Sequence, residues 1–262
     1  MERAGISSAC FYPETTEKSF LKACKAGVKN IEVFFNAFSE LEKSFINELI
    51  AIKEYYDVCI PSVHPFMSFA EPYFLFSSYE RRFHESIDFY KRFFEITNKL
   101  GADYFIFHGM KLPGTIHGDL YIERFAMLTD IGKKEGIKVC QENVVKFISE
   151  NPLFIEQMKN SIGNDFSMVL DIKQARKASF SPYDFIDKAG KHIRHIHISD
   201  YDENCVCIPP LEGNFNFPEF FDKLKEFGYD GKFIIELYDF SYEKDEQIYD
   251  SLRKINKLLV DY

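Results

Sequence analysis

The chain has 262 residues, 46% of them hydrophobic, which is enough apolar material for one large core or two modest ones and excludes a peptide hormone or a disordered linker. Its 41 acidic side chains outnumber the 32 basic ones and give a formal net charge of −9. This balance argues against a large basic surface for phosphate backbones or anionic lipid. We therefore do not expect nucleic acid as a partner.

The apolar runs of the chain are short. The segments 104–107 and 233–235 are far below the roughly 20 consecutive apolar residues of a membrane span, so no span is predicted. The first residues lack the basic segment and apolar stretch of a secretory signal, and we expect a cytoplasmic location. Six cysteines without a CxxC pair are expected to be mostly reduced, buried thiols.

Short apolar runs alternate with longer amphipathic stretches from one end of the chain to the other, which predicts alternating strands and helices. The runs are rich in Ile, Val and Phe with little polar alternation, as is typical of parallel strands buried on both faces. The eight predicted strands are 6–11, 31–35, 58–63, 104–107, 138–141, 167–170, 193–198 and 233–237.

Helix start and stop signals occupy the segments between these runs. Gly27, Gly101, Gly136 and Gly228 each follow a predicted helix, where a left-handed cap commonly ends it. The predicted helices begin at 15 and 39 and then span about 78–100, 119–134, 151–162, 182–189, 218–227 and 242–259.

Eight strand-then-helix units match the roughly 250-residue size of a closed (β/α)8 barrel. The competing architecture, an open doubly wound sheet, usually has fewer strands and a glycine-rich phosphate turn after the first strand. Residues 11–15, which follow the first run, contain no glycine. No linker or change of composition divides the chain, so the sequence predicts an α/β protein with a single (β/α)8 barrel domain over residues 1–262.

Polar side chains lie in or directly after seven of the predicted strands, and the carboxyl ends of barrel strands are where active sites form. They are Glu32, His64, His108, Glu142, Asp171, His197 and Glu236. Taken singly, such a carboxylate is commonly a helix cap and such a histidine a hydrogen-bonded core residue. Together they indicate a cation, because burying several carboxylates is costly through desolvation and mutual repulsion.

Glu142, Asp171, His197 and Glu236 lie on four consecutive predicted strands and can converge on one point. Three carboxylates and one imidazole form an oxygen-rich ligand set, which suits Mn²⁺ or Mg²⁺ and admits Zn²⁺ or Co²⁺. We therefore expect one divalent metal ion as the cofactor, with its identity left open.

The same strand ends carry a family resemblance, which covers essentially the whole chain. The sequence resembles the xylose-isomerase-like TIM barrel superfamily of sugar isomerases and epimerases. The segments that carry the resemblance are CQEN at 140–143, VLDI at 169–172, HIHISD at 195–200, LEGNF at 211–215 and IIEL at 234–237.

The resemblance implies a metal-dependent isomerase or epimerase of a sugar or sugar phosphate, with Glu142, Asp171, His197 and Glu236 as ligands of one divalent ion. It also implies that Glu142 and Glu236 flank a substrate carbon and exchange its proton. A cation on the carbonyl and the adjacent hydroxyl would stabilise the enediolate, while the two glutamates act as base and acid. The sequence does not choose between epimerisation and isomerisation.

Four further residues, Glu32, His64, His108 and Gln174, are expected to contact the sugar or polyol substrate, since their side chains can bond to hydroxyls. Glu32 has a second interpretation, in which it orients His64. The two histidines also have a second interpretation, as ligands of a second metal.

An alternative activity follows from endonucleases of the same superfamily, which cut DNA at abasic sites with three zinc ions. His64 and His108 match two of their ligands, but the third zinc site fits badly. Its Asp-x-x-His reads DIKQ at 171–174, and its Asp-x-His reads CVC at 205–207, where zinc-binding thiolates are a minor alternative. A metal-dependent hydrolase or lyase, endonuclease-like or inosose dehydratase-like, therefore remains the alternative, with a non-catalytic binder behind it.

The segment 65–79 is rich in aromatic residues and too apolar for an ordinary exposed loop. A pocket wall, a lid and a subunit contact are its three interpretations, so a homo-oligomer is left open. Lys111, His117, Lys173 and Arg176 follow predicted strands four and six, and they leave open whether the substrate carries a phosphate.

Overall fold

The sheet of the molecule is a closed barrel of eight parallel strands, in which β8 pairs with β1. The computed structural model describes residues 2–262, so residue 1 of the predicted domain lies outside the described residues. The strands are β1 (Ala4–Ser7), β2 (Ile31–Phe34), β3 (Ser62–His64), β4 (Tyr104–Phe107), β5 (Lys138–Glu142), β6 (Met168–Asp171), β7 (Ile193–Ile198) and β8 (Lys232–Ile235). The prediction of a single (β/α)8 TIM barrel is confirmed.

All eight predicted strands are present, and the first differs most from its prediction. The run 6–11 is predicted as one strand, but β1 ends at Ser7 and the residues Ser8–Phe11 form a 3₁₀ turn. The Ser7 hydroxyl accepts a hydrogen bond from the backbone N–H of Ala9 at 3.4 Å and caps this turn. The chain therefore bends at the carboxyl end of β1 instead of continuing as a strand.

Ten α-helices are found within residues 2–262, and the glycines expected to end helices all have positive φ. The helices are α1 (Thr16–Lys25), α2 (Lys43–Tyr56), α3 (Glu71–Phe74), α4 (Glu80–Lys99), α5 (Gly118–Lys134), α6 (Pro152–Ile162), α7 (Ile172–Lys177), α8 (Pro182–Ala189), α9 (Phe217–Glu226) and α10 (Asp245–Leu258). The eight long helices are confirmed, although α2 begins later than predicted because Phe38–Leu41 form a 3₁₀ turn.

Two short helices, α3 and α7, are not predicted, because four and six residues are too few to show a helical period. The helix α7 follows β6 without a connecting loop. The carboxylate of Asp171 accepts a hydrogen bond from the backbone N–H of Gln174 at 2.8 Å and serves as its N-cap. This cap places the residues of α7 directly at the barrel mouth.

The interior of the barrel is layered along the strands. Cys140 and Val169 belong to a small apolar cluster that is separate from the main core. Side chains two positions apart on a strand share a face, so Glu142 and Asp171 lie on the same inner face, one step nearer the mouth. A polar layer therefore caps an apolar one at the carboxyl ends of the strands.

Two further expectations concern the cysteines and the membrane. All six cysteines are free, and four of them are buried. Among residues 2–262, no helix combines the length and apolar character needed to cross a bilayer.

Candidate metal centre and substrate cavity

The four residues predicted as metal ligands lie together at the carboxyl ends of four neighbouring strands. Glu142 ends β5, Asp171 ends β6, His197 lies in β7 and Glu236 directly follows β8. One potential ligand atom from each lies within 4.8 Å of all the others. From Nδ1 of His197, the nearest carboxylate oxygens of Glu142, Glu236 and Asp171 are 3.1, 3.6 and 3.8 Å away.

The side chain of Asn143 fixes two of these strand ends against each other. Its amide nitrogen donates to the carbonyl of Asp171 at 3.0 Å, and its amide oxygen accepts from the N–H of the same residue at 2.7 Å. Because both backbone groups of Asp171 are held, β5 and β6 present their carboxylates in a fixed register.

The chemistry of these four residues fits a divalent ion. Oδ2 of Asp171 is buried without a hydrogen bond, and it faces the ammonium of Lys173 at 3.3 Å. Burial, together with the neighbouring carboxylates of Asp171 and Glu236, raises the pKa of Glu142 to about 7. Three carboxylates and one imidazole nitrogen therefore form a site that gains from a positive charge at its centre.

A fourth carboxylate, that of Glu32, contacts His197 on the ring nitrogen that faces away from the other three carboxylates. Nε2 of His197 lies 3.0 Å from Oε2 of Glu32, and Nδ1 faces the other three carboxylates. An ion bound at Nδ1 would leave the ring proton on Nε2, facing Glu32, which is the usual arrangement behind a histidine ligand. Burial alone would raise the pKa of Glu32, but His197 and His195 outweigh it and hold that pKa well below its ordinary value.

Glu32, an expected substrate contact, lies buried beneath the cluster. Its side chain is fully buried and does not line the cavity described below. The carboxylate is enclosed by the Ser62 hydroxyl, which donates to it at 2.7 Å, and by Nε2 of His195 and His197. Glu32 is therefore a positioning residue beneath the site.

The other three predicted substrate residues, His64, His108 and Gln174, line a cavity of about 310 Å³ beside the cluster. Nε2 of His64 is 3.9 Å from Glu236, and Nε2 of His108 is 3.3 Å from Glu142. Burial lowers the pKa of both histidines, so each is a neutral ring that can donate and accept one hydrogen bond. With Glu142 they also form a second group that could hold a metal.

The cavity has a polar wall and an apolar wall. The polar wall comes mainly from strand ends and α7, with three residues from the connections, and consists of His64, His108, Glu142, Lys173, Gln174, Glu236, Asn36, Ser68 and Asp239. The apolar wall comes mainly from the connections after the strands, and consists of Ala9, Tyr12, Phe34, Leu237 and Tyr238. Such a combination suits a small molecule that carries both hydroxyl groups and carbon–hydrogen surface.

The side chain of Lys173 enters the cluster itself, which the sequence pattern did not indicate. It is 3% exposed, and its Nζ lies 2.6 Å from Oε2 of Glu236 and 3.3 Å from Oδ2 of Asp171. Burial alone would lower the pKa of Lys173, but the two carboxylates raise it well above its ordinary value. Lys173 is therefore a buried ammonium among the potential ligands.

Comparison with known proteins gives the family. A family model for the xylose isomerase-like TIM barrel matches residues 20–258. The chain belongs to this family. An uncharacterised protein of Methanocaldococcus jannaschii is 28% identical over 249 residues, which cover 88% of this chain and 82% of that protein.

Solved structures with the same fold bear the names of sugar epimerases. A D-tagatose 3-epimerase-like protein is 23% identical with a TM-score of 0.83, over 100% of this chain and 98% of that chain. The D-allulose 3-epimerase of Methylomonas sp. is 15% identical with a TM-score of 0.77, over 98% and 99% of the two chains. The 3-keto-D-glucoside 4-epimerase of E. coli is 14% identical with a TM-score of 0.77, over 98% and 100%. These identities establish a common fold.

This xylose isomerase-like barrel has a further buried carboxyl group that sequence reasoning missed. Glu71 of α3 is fully buried, and it accepts a hydrogen bond from the backbone N–H of Gly109 at 2.5 Å, next to His108. Burial raises the pKa of Glu71 to about 8. Part of the aromatic segment 65–79 is thus tied to the end of β4, and its Ser68 lines the cavity.

The remaining candidates belong neither to the groups that could hold a metal nor to the lining of the cavity, with the exception of Lys173 described above. Within the described residues, the three groups that could hold a metal include neither Cys205 nor Cys207, and the Cys205 thiol instead donates to the Cys207 carbonyl at 3.2 Å. Lys111, His117 and Arg176 do not line the cavity.

Proposed function

We propose that this protein is a divalent-metal-dependent epimerase or isomerase of a sugar, which moves a proton on a carbon next to a carbonyl. The proposal rests on one observation, the convergence of Glu142, Asp171, His197 and Glu236 beside the cavity. The epimerase names of solved structures with the same fold support it.

The four proposed ligands divide into two kinds. Glu142 and Glu236 line the cavity, whereas Asp171 and His197 lie behind its wall. A divalent ion held by the four would polarise the substrate carbonyl and stabilise negative charge on its oxygen. We assign proton exchange to the two glutamates, because they alone among the four face the substrate.

The neighbours of the two glutamates favour one assignment of acid and base. We assign the return of the proton to Glu142, because Nε2 of His108, which can relay a proton, lies 3.3 Å from its carboxylate. Glu236 then acts as the base that removes the proton from the substrate carbon. His64 lies next to Glu236 and His108 next to Glu142, and we propose that these neutral rings bind the neighbouring hydroxyl groups.

A neutral, unphosphorylated sugar is the proposed substrate. The described residues that line the cavity include one Lys or Arg, Lys173, against the carboxylates of Glu142, Glu236 and Asp239. The carboxylate of Asp239 also lines the cavity and would repel an anion. The apolar wall can cover the carbon–hydrogen face of a sugar ring.

Solvent-deuterium exchange tests this function. The protein loaded with Mn²⁺ should transfer deuterium from D₂O to a carbon of at least one ketose in a panel of unphosphorylated and phosphorylated sugars. Glu236→Gln should abolish exchange with an unchanged circular dichroism spectrum, because it removes the base and keeps the shape. The exposed Glu243→Gln serves as the matched control and should exchange normally. Exchange at the wild-type rate in Glu236→Gln would contradict the role of this residue.

A second candidate, a metal-dependent hydrolase or lyase of the endonuclease or inosose dehydratase type, is favoured by the group His64, His108 and Glu142. A second ion there would give a two-metal centre, the arrangement of many phosphate-cleaving enzymes. Metal analysis showing two ions per chain, with salt-sensitive nicking of an abasic duplex, would favour this candidate. The net charge of −9 argues against it.

A further inference from the structure

The carboxylate cluster contains a cation of its own. Nζ of Lys173 contacts Oε2 of Glu236 and Oδ2 of Asp171, while the ring of Tyr238 lies 4.9 Å away. The side chain is buried and begins in α7, whose first turn is capped by Asp171 itself. The ammonium is therefore held where solvent does not screen it.

The oxygens that Lys173 contacts are the same ones that face the imidazole. Oε2 of Glu236 and Oδ2 of Asp171 lie 3.6 and 3.8 Å from Nδ1 of His197. An ion that took Nδ1 as a ligand would need these two oxygens at roughly 2.0–2.6 Å. The ammonium and the ion thus compete for the same two atoms, and their like charges repel at this range.

We propose that Lys173 is an internal counter-cation, which a divalent ion must displace from Asp171 and Glu236 in order to bind. The inference rests on the metal centre of the proposed function. In the metal-free protein, Lys173 balances charge that would otherwise destabilise the barrel mouth. When metal binds, this contact is lost, so the ion is held more weakly and exchanges more readily than by the same four ligands without the lysine.

Removal of the ammonium should change metal affinity and metal-free stability in opposite directions. Lys173→Met keeps an unbranched apolar stem of similar length and leaves the two carboxylates without a counter-charge. We expect this variant to bind Mn²⁺ at least about tenfold more tightly than the wild type, because one like charge has been removed from the site. We also expect a lower melting temperature without metal and a larger gain on adding Mn²⁺.

The experiment is calorimetric titration of the metal-free full-length protein with MnCl₂, combined with thermal unfolding with and without Mn²⁺. Lys173→Arg keeps the charge and should keep the weak binding, whereas Lys173→Gln removes the charge, keeps a donor and replaces the Met variant if that does not fold. Lys177→Met is the matched control, because this neighbouring ammonium bonds to the Tyr238 hydroxyl and contacts neither carboxylate. It should change the affinity by less than about threefold.

The outcomes separate this inference from the proposed function. Tighter binding in Lys173→Met or Lys173→Gln, but not in Lys173→Arg, supports the counter-cation. Equal or weaker binding in the uncharged variants overturns it and leaves the metal centre intact. A failure of every variant and of the wild type to bind Mn²⁺ overturns both.

Discussion

The buried carboxyl group of Glu71 leads to a prediction about stability and pH. Glu71→Gln keeps the shape of the side chain and the oxygen that accepts from Gly109, but it removes the ionisable group. Burial raises the pKa of Glu71 from 4.5 to about 8, so the folded protein holds this proton more tightly than the unfolded chain does. Stability must therefore fall as pH rises between these two values, the opposite of the trend for a salt-bridged carboxylate.

The size of the effect follows from the two pKa values. The difference between the two pKa values lowers the free energy of unfolding relative to a protein in which this group does not ionise. The loss is about 2 kcal/mol at pH ~6 and on the order of 5 kcal/mol at pH ~9. As the pH rises from ~6 to ~9, the free energy of unfolding of the wild type should thus fall by about 2 to 3 kcal/mol relative to that of Glu71→Gln. Urea unfolding of both proteins at several pH values measures the difference between their free energies of unfolding. The pH dependence that comes from the titratable groups they share cancels in this difference.

A matched control is available on the next helix. Glu85→Gln alters an exposed carboxyl of α4, and its stability relative to the wild type should not vary with pH in this way. If the difference between the wild type and Glu71→Gln is constant from acidic to alkaline pH, the reasoning about burial at this position is refuted.

Two further predictions concern buried carboxylates. Glu32→Gln should lower Mn²⁺ affinity by about 10- to 100-fold in calorimetric titration, because His197 loses the charged acceptor behind its Nε2. The control Ser62→Ala, which removes a hydroxyl that donates to Glu32, should lower the affinity less. An unchanged affinity in Glu32→Gln would refute this role. Asp200→Asn should lower the free energy of unfolding, measured in urea, by about 2 to 3 kcal/mol. The reason is that the Asp200 carboxylate is fully buried and accepts hydrogen bonds from the backbone N–H groups of Tyr201, Leu211, Gly213 and Phe215. A loss below about 0.5 kcal/mol would contradict this stabilising role.

The barrel and the convergence of four side chains at its mouth are predictable from the sequence, because both depend on short-range patterns. Each strand is a buried apolar run, and Glu142, Asp171, His197 and Glu236 close or occupy such runs. Once the strands are taken as parallel neighbours in one barrel, their carboxyl ends must meet. The prediction needs no knowledge of the connections.

Residues whose role depends on depth or on a short helix are not predictable in this way. Glu32 lies in an apolar run like the other candidates, but it is two residues before the end of β2, whereas Glu142 and Asp171 end their strands. Lys173 lies on α7, which is too short to show a period, and its direction depends on the Asp171 cap. Glu71 is hidden in an aromatic segment whose packing involves residues far along the chain.

The proposed metal ligands and much of the remaining cavity surface come from different parts of the chain, the strands and the connections between them. The proposed metal ligands lie in or directly after strands whose register is fixed by the closed barrel. For β5 and β6 it is also fixed by the two hydrogen bonds between the Asn143 side chain and the Asp171 backbone. Much of the surface that would meet the rest of a sugar comes from segments such as Tyr12 and Tyr238, outside the strands. In the proposed enzyme, exchange of a few loop residues can therefore change substrate selectivity and leave the proposed metal centre unaltered.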